Sequence, residues 1–581
     1  MPDSTPHPYV VELADEASAG RISRRDFFRY AATMGVSISA AGALMGLSPA
    51  QVAAAGAPAA PDWADLRKES PFEIKNLLID DAKKAAAKGS GGQWINAGRG
   101  NPNFLNTTAR AALAQLTLFA AEQAGAGSEI DDVGYRLDAK GLSDKFDAFM
   151  IRQVGAHGGV YLREAMNYAR TRLGMAPDDV VFQLTDGIQG DFYPDPPRIF
   201  PVTEAVVSRY LDRVVFSGKP PKGKFHLFAT EGATAAMIYI FNSLRENMVL
   251  RPGDTVAIVT PIFSPYLELP LLADYGLKTV YIRGDEAMGW QIPDTEVAKL
   301  RDKQVKALYM VNPTNPTSVS LNADTVKRMS DTIRKYNPDM VIISDTVYAS
   351  FVDTFTTFGQ YLPENILGVY SFSKYFGVTG WRLGAVMVHE NCVVDRIIAR
   401  LPTRDQARLD LRYRLTSTDP KTIPFYERLE MDSRQVALAH TGGLSGPQQA
   451  AMCLFALFEL LDGRYVYKAS IMGILKKRWA ALFDALGMAA PAGDNLTRYY
   501  ALIDLGRLAE AKHGKDFAEK MMQGEPMDFV FRLARAQAIV CLPGKGFAGP
   551  DWSLRVALAN ISEAECAAVG RGILEVLASY K

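Results

Sequence analysis

The middle of the chain alternates between short apolar runs and amphipathic stretches. Residues 255–260, 307–311 and 339–344 are apolar runs typical of buried strands, and each ends in a turn of small or polar residues. Residues 224–237 predict another strand, a small-residue turn and the start of a helix. Strands that alternate with helices predict an α/β domain with a largely parallel sheet.

Helical patterns dominate the chain before this region. Residues 71–80 have helical spacing of apolar residues, and we expect a lysine-rich turn, which runs on to the glycine-rich residues 89–92, to end that helix. Residues 107–170 predict helix with a break at 155–159. Residues 186–198 predict a proline-locked loop that aims Tyr193, although an ordinary buried tyrosine fits the sequence nearly as well.

The C-terminal part predicts a smaller domain. The charged segment at 400–440 predicts an inserted helical segment. Its charged side chains either face solvent or contact another subunit. An apolar helix at 442–461 and a strand at 499–505 follow. In the last predicted strand, period-two alternation places Arg555 on a face of small residues, where a guanidinium has room to meet a ligand.

The N-terminus resembles a twin-arginine export signal. Residues 23–29 read SRRDFFR, followed by a weakly apolar run to about Leu47 and small-residue cleavage sites at 53–60. A membrane anchor or an amphipathic helix is the weaker interpretation, because the run is rich in Gly, Ala and Ser. We therefore expect a periplasmic protein without a stable membrane span after signal removal.

The predicted organisation runs in order along the chain. We expect a signal peptide, an arm with part of a small domain, a large α/β domain, a charged helical insertion and a C-terminal small domain, at 1–57, 58–106, 107–395, 396–440 and 441–581.

Composition narrows the possible functions. The 581 residues are 48% hydrophobic, enough for a large core and more than one domain. Lys plus Arg equals Asp plus Glu at 64 each, which gives no support for nucleic-acid binding. The four cysteines are widely spaced and the six histidines lack ligand spacing, so we expect no metal site.

The stretch 370–384, YSFSKYFGVTGWRLG, contains the first candidate for chemistry. Lys374 would follow a strand, where partial desolvation lets an amine lose its proton and condense with an aldehyde. Ser371, Ser373 and Arg382 are suited to hold a phosphate. An isolated SxSK is usually a surface turn, so the interpretation depends on the rest of the chain.

Other candidates also follow predicted strands, whose carboxyl ends gather ligands in open α/β sheets. Gly232 and Ala233 open a helix whose N–H groups would face an anion, and Phe263 offers a stacking face. Asp345 ends one strand, and Tyr348 follows three residues later.

The order of these pieces resembles the aspartate aminotransferase superfamily, fold type I of the enzymes that use pyridoxal 5'-phosphate (PLP). The motifs are GAT, an aromatic after a strand, NPTNPT, DxxY, SxSK and an arginine eight residues after the lysine. The family usually has glycine after NPT, where this chain has Ser318. The resemblance implies a large domain with a mostly parallel seven-stranded sheet and a smaller α+β domain.

The resemblance also implies roles for single residues. Lys374 would form the internal aldimine, and Asp345 would pair with the pyridine nitrogen. Tyr348 and Asn315 would bond the phenolic oxygen of the ring, while Phe263 would stack on it. The phosphate would be held by Gly232, Ala233, Ser371 and Arg382. Arg555 would bind the α-carboxylate of an amino-acid substrate, and Asn315 is a second candidate for substrate binding.

Within this superfamily, the long insertions and the motifs GRGNPNF, DGIQGDFYPDPPR and FATEGATAAM resemble the aspartate 4-decarboxylases. This resemblance implies β-decarboxylation of L-aspartate to L-alanine and CO2 through a ketimine, with aspartate aminotransferase side activity. The alternative is a plain aminotransferase for aspartate or a related amino acid. A regulator fused to an aminotransferase-like domain would need a basic DNA-reading module, which the sequence lacks.

The second carboxylate of such a substrate needs its own contacts. Candidates are Arg99, Lys75 and Tyr193. Tyr193 is also a candidate for a catalytic role, in addition to Lys374. Some of these contacts would come from a neighbouring subunit, because fold type I sites lie at a dimer interface. We therefore expect a homo-oligomer built from dimers.

Overall fold

The computed structural model describes residues 8–19, 21, 27, 30, 44, 63–66, 71–89, 93–153, 155–190, 193–436 and 438–581. The chain divides into two compact units, residues 1–69 and 70–581. In the first unit, helix Pro8–Ser18 buries Val10, Ala14 and Ala17 along one side. The predicted export motif and cleavage region lie outside the described residues, apart from Phe27.

The second unit is built on a seven-stranded sheet with the order β2-β8-β7-β6-β5-β3-β4. Strand β8 is antiparallel to both of its neighbours, and the other pairings are parallel. The mostly parallel sheet predicted from the sequence is therefore confirmed. The strands of the chain are β1 (Ile95–Asn96), β2 (Phe225–Thr230), β3 (Thr255–Thr260), β4 (Lys278–Arg283), β5 (Val305–Val311), β6 (Val341–Asp345), β7 (Ile366–Ser371), β8 (Gly384–His389), β9 (Tyr500–Asp504), β10 (Ile539–Val540), β11 (Leu542–Pro543) and β12 (Ser553–Ala557).

The sheet is buried on both faces. Tyr309 and Ile343 belong to one apolar cluster, whereas Leu308 and Ile342, their neighbours in sequence, belong to another on the opposite face. This alternation explains why the central strands are continuous apolar runs. Helices that cover both faces leave the carboxyl edge of the sheet to loops.

Helices take up most of the remaining chain of the second unit. They are Pro71–Lys88, Thr107–Gly125, Leu142–Arg152, Gly159–Arg172, Pro177–Gln189, Pro201–Val214, Ala233–Glu246, Pro265–Glu268, Asp294–Val297, Ala323–Tyr336, Val393–Ala399, Thr403–Tyr413, Phe425–Ser433, Gly446–Leu461, Val466–Leu486, Leu505–His513, Lys515–Met522, Pro526–Gln537 and Glu563–Ala578.

Three expectations for the region before the central sheet need correction. The helix predicted at 71–80 continues to Lys88, and the region 107–170 contains a second break at 126–141. The loop predicted from Asp186 begins only at Gly190, which ends helix Pro177–Gln189 with a φ of 70°. Val180, Val181 and Leu184 are buried and extend the helix through this region, so the first residues of the predicted loop are its last turn.

Elements from both ends of the second unit meet beside the central sheet. Strands β11, β12 and β9 form an antiparallel sheet, and β1 pairs in parallel with β10. Helix Pro71–Lys88 packs against Pro526–Gln537, and Val466–Leu486 packs against Glu563–Ala578. The residues just after β1 lie next to β12, because the N–H of Ala557 donates to the carbonyl oxygen of Ala97 and Arg555 donates to that of Gly98.

The charged segment at 400–440 is anchored in the core. The carboxylate of Asp432 accepts hydrogen bonds from Ser243, Asn247, Tyr413 and Arg412. A buried carboxylate needs partners, and Asp432 finds four here. Helix Thr403–Tyr413 buries Leu409 and Tyr413 and keeps an exposed face, so a solvated face and a subunit contact both stay open for it.

Two findings apply to the described residues alone. No described helix is long and apolar enough to span a bilayer. No cluster of His, Cys, Asp and Glu side chains among them is arranged to hold a metal ion.

Candidate active site

A cavity of about 220 Å³ lies where the central strands end. Most of the site residues predicted from the sequence line it. They are Ala233, Phe263, Asn315, Asp345, Tyr348, Ser371, Lys374, Arg382 and Arg555. Gly232 lies directly behind this lining, in contact range of Arg382. Residues up to 323 positions apart in sequence, such as Gly232 and Arg555, are thus brought to one place.

Lys374 follows strand β7 and directs its amine into the cavity. Its Nζ donates a hydrogen bond to the carbonyl oxygen of Gly100 at 3.1 Å. Burial, together with the positive charges of Arg555 and Arg382, lowers the pKa of Lys374 to about 8, and Asp345 opposes this shift. Roughly a tenth of the amine is therefore uncharged at pH 7, several hundredfold more than for a lysine with its ordinary pKa, and a nucleophile or base must be uncharged.

Asp345 is the last residue of strand β6, and both of its carboxylate oxygens accept hydrogen bonds. Oδ1 accepts the N–H of Val347 at 3.0 Å, and Oδ2 accepts the hydroxyl of Tyr266 at 2.8 Å. Burial raises the pKa of Asp345 to about 6, although both hydrogen bonds and the charge of Lys374 oppose the shift. A buried carboxylate of this kind strongly favours a positively charged partner.

An anion cradle lies at the start of helix Ala233–Glu246. Gly232 has a φ of 87°, and a Cβ at this position would lie 2.7 Å from Nη2 of Arg382, so glycine is required. The first turn of the helix has no acidic residue. Free N–H groups at the helix start, the guanidinium of Arg382 and the hydroxyl of Ser371 together suit a phosphate.

Arg555 is 1% exposed and forms the opposite wall of the cavity. Its guanidinium donates to Oδ1 of Asn315 at 3.3 Å and to the carbonyl oxygen of Gly98 at 2.6 Å. Its buried Nε has no hydrogen-bond partner among the described residues. A buried guanidinium with an unused donor is suited to bind a carboxylate.

The cavity fits the cofactor that the sequence resemblance implies. Lys374 supplies an amine for its aldehyde, and Asp345 supplies a carboxylate for its pyridine nitrogen. The cradle at Gly232 accommodates its phosphate, and the unpartnered Nε of Arg555 leaves a donor for the substrate. The residues that the sequence assigned to PLP therefore form one site.

The three residues predicted to contact the second carboxylate of the substrate lie in different surroundings. Burial, followed by the charges of Arg555 and Arg99, lowers the pKa of Lys75, so these three cations share one electrostatic environment. Arg99 is exposed. Tyr193 is 61% exposed and stacks on the ring of His440 at 5.5 Å between centroids, and it does not line the cavity of its own chain. Their roles stay predictions.

Two tyrosines of the site were not predicted from the sequence. Tyr266 holds Asp345, and Tyr500 lines the cavity with its hydroxyl 2.9 Å from that of Tyr348. Tyr266 follows Phe263 by three residues, and Tyr500 opens strand β9 directly after another tyrosine. The aromatic pair at the strand start was the available signal, but aromatic residues in strands are usually core residues.

Comparisons with known proteins extend over most of the chain. Residues 226–573 match the family described as aminotransferase class I and II. A bifunctional aspartate aminotransferase and L-aspartate beta-decarboxylase from a Pseudomonas species is 42% identical over 88% of this chain and 96% of its own length. An aspartate aminotransferase from Pyrococcus horikoshii is 30% identical over 29% of this chain and 42% of its own.

Solved structures show the same fold. The aspartate aminotransferase from Thermus thermophilus with maleate superposes with a TM-score of 0.54, covering 89% of this chain and 99% of its own at 16% identity.

The pH at which Lys374 becomes reactive tests the electrostatics of the cavity. In the cofactor-free protein, we expect its acylation, followed by peptide mass spectrometry, to rise with a midpoint near pH 8. Arg555→Met removes a positive charge that lowers the pKa of Lys374, so the midpoint should move to higher pH. Arg507→Met, at an exposed arginine, is the control. A wild-type midpoint near that of free lysine would contradict the assignment.

Proposed function

Because this chain belongs to the class I and II aminotransferase family, we propose that it is an aspartate 4-decarboxylase. It uses PLP to convert L-aspartate to L-alanine and CO2, with aspartate aminotransferase activity as a side reaction. The observation that carries the proposal is the similarity to the bifunctional Pseudomonas enzyme, which covers 96% of that enzyme's length. It therefore includes segments outside the matched family region.

Bound PLP supplies an electron sink for the carbon chemistry of the substrate. Asp345 would hold the proton on its pyridine nitrogen, Asn315 and Tyr348 would orient its ring oxygen, and Phe263 would cover the ring. The cradle of Gly232, Ala233, Ser371 and Arg382 would hold its phosphate.

The residues of the chain position aspartate and move its protons. Arg555 binds the α-carboxylate, which fixes the Cα–H bond relative to Lys374. With a pKa of about 8, Nζ of Lys374 can accept the Cα proton and later return a proton at the same face. The hydrogen bond to Gly100 fixes the position of Nζ between these transfers.

The second carboxylate leaves as CO2, and this limits how it is held. Tight ion pairing would stabilise its charge in the ground state more than in the transition state, where the charge flows away. Lys75 is only partly buried and Arg99 is exposed, so neither is a buried clamp. We assign both, with Tyr193, to loose orientation of this carboxylate.

The assembly and location of the protein are also proposed. Tyr193 lies outside the cavity of its own chain, which supports a homo-oligomer built from dimers in which a neighbour supplies this side chain. The SRRDFFR motif at 23–29 supports export of the folded protein by the twin-arginine route to the periplasm.

The main test is incubation of the PLP-loaded protein with L-aspartate in the absence of any oxo acid. We expect CO2 and alanine to be released together in equal amounts over many turnovers. Release of at most one equivalent of oxaloacetate per site, with turnover only after 2-oxoglutarate is added, would identify a plain aminotransferase and contradict the proposal.

The orientation of the second carboxylate is tested by Lys75→Met, Arg99→Met and Tyr193→Phe. Each substitution removes a polar contact to the second carboxylate. Loss of one hydrogen bond to a charged group corresponds to about a tenfold effect, so the ratio of alanine to oxo acid should fall by about tenfold. Lys84→Met, on the exposed side of the same helix as Lys75, should leave the ratio unchanged. A variant with the wild-type ratio would remove its residue from this role.

Export is tested by replacing Arg24 and Arg25 with lysine. Cell fractionation should find the wild-type protein in the periplasm and the double variant in the cytoplasm, because the paired arginines define the signal. Equal periplasmic amounts of both proteins would contradict twin-arginine export.

A further inference from the structure

We propose that Tyr500 is a positioning residue of this site with two roles. Its hydroxyl orients the phenol of Tyr348, and its ring forms a wall against which Arg555 is held. The inference rests on the proposed use of PLP and a carboxylate substrate, but it concerns Tyr500, for which no function was predicted from the sequence.

The first observation is a pair of buried phenols. Tyr500 is 2% exposed and Tyr348 is 3% exposed, and their hydroxyl oxygens are 2.9 Å apart. Burial raises the pKa of both, so both phenols keep their protons at neutral pH. A hydrogen bond between them therefore has one donor and one acceptor, and the direction of the bond matters.

Bound PLP would set this direction. The ring oxygen of the cofactor carries negative charge, so it accepts the Tyr348 proton more strongly than a neutral phenol oxygen does. Once Tyr348 donates into the cavity, only Tyr500 can donate within the pair. Donation by Tyr500 polarises the hydroxyl of Tyr348 and strengthens its bond to the cofactor.

The second observation concerns Arg555. Its guanidinium lies 4.7 Å from the ring centroid of Tyr500 and 4.7 Å from that of Phe547. Contact with these two rings restricts the guanidinium, while bonds to Asn315 and Gly98 fix its rotation. Tyr500 therefore contacts both the cofactor-orienting phenol and the substrate-binding guanidinium.

The backbone of Tyr500 is held by an unusual residue. Ser318 has a φ of 64°, a left-handed conformation that favours glycine, and its Oγ accepts the N–H of Tyr500 at 2.8 Å. Glycine would remove the strain but also the bond. The serine thus fixes the start of strand β9 at the cavity.

Two substitutions separate the two roles. In PLP-loaded protein without substrate, Tyr500→Phe should raise the midpoint of the pH titration of cofactor absorbance by roughly 0.3 to 1 pH unit. Without the Tyr500 hydroxyl, Tyr348 would donate a weaker hydrogen bond to the ring oxygen of the cofactor. The cofactor ring would then keep more electron density, so the nitrogen of Lys374 would hold its proton more tightly. The same variant keeps the aromatic wall and should bind maleate, an unreactive dicarboxylate, within about twofold of wild type.

Tyr500→Leu removes the wall as well as the hydroxyl. It should raise the absorbance midpoint and also weaken maleate binding by roughly fivefold to tenfold, the range of a lost cation–π contact. Tyr413→Phe is the matched control, because Tyr413 is a buried phenol that donates to Asp432 away from the cavity. It should leave both measurements unchanged.

An unchanged or lower midpoint in Tyr500→Phe would overturn the first role, and wild-type maleate affinity in Tyr500→Leu would overturn the second. If the leucine variant does not fold, the phenylalanine variant still decides the first role. Both measurements are made without turnover, so they hold whether aspartate is decarboxylated or transaminated. A wild-type protein without cofactor absorbance would overturn the PLP assignment and this inference together.

Discussion

The site depends on one constraint, which is that the amine of Lys374 must lose its proton easily inside a small cavity that also binds anions. Burial and the positive charges of Arg555 and Arg382 lower its pKa, and Asp345 opposes them. The same two arginines are the groups suited to bind a carboxylate and a phosphate. The charges that recruit the ligands therefore also prepare the amine for reaction.

The fold meets this constraint by joining two parts of the chain. Strands β6 and β7 deliver Asp345 and the segment of Lys374 to one edge of the central sheet. The antiparallel sheet of β11, β12 and β9 brings Arg555 and Tyr500 to the same edge. The loop after β1 closes the site, because Gly98 and Gly100 accept hydrogen bonds from Arg555 and Lys374. Decarboxylation and aminotransfer would use this one arrangement.

The sequence predicted the central sheet and the residues that line the cavity because both have strong local signals. A buried strand is a continuous apolar run, and a site residue such as Asp345 or Lys374 is a polar residue at its end or within a few residues after it. Tyr266 and Tyr500 were missed because aromatic residues in or near strands also fill cores. The helical turn at Asp186 was missed because Gly187 and the prolines that follow suggest a loop, whereas burial of Leu184 and its neighbours extends the helix. Tyr193 is exposed and stacks on His440, a residue far away in sequence, and local patterns contain no information on such a contact.

The most direct test of this account is to identify the residue that binds the cofactor covalently. The purified protein, loaded with PLP, is reduced with borohydride, digested and mapped by mass spectrometry. The account predicts that the yellow colour bleaches and that the reduced cofactor is found on the peptide containing Lys374. Attachment to another lysine, or a protein that takes up no PLP, would contradict it.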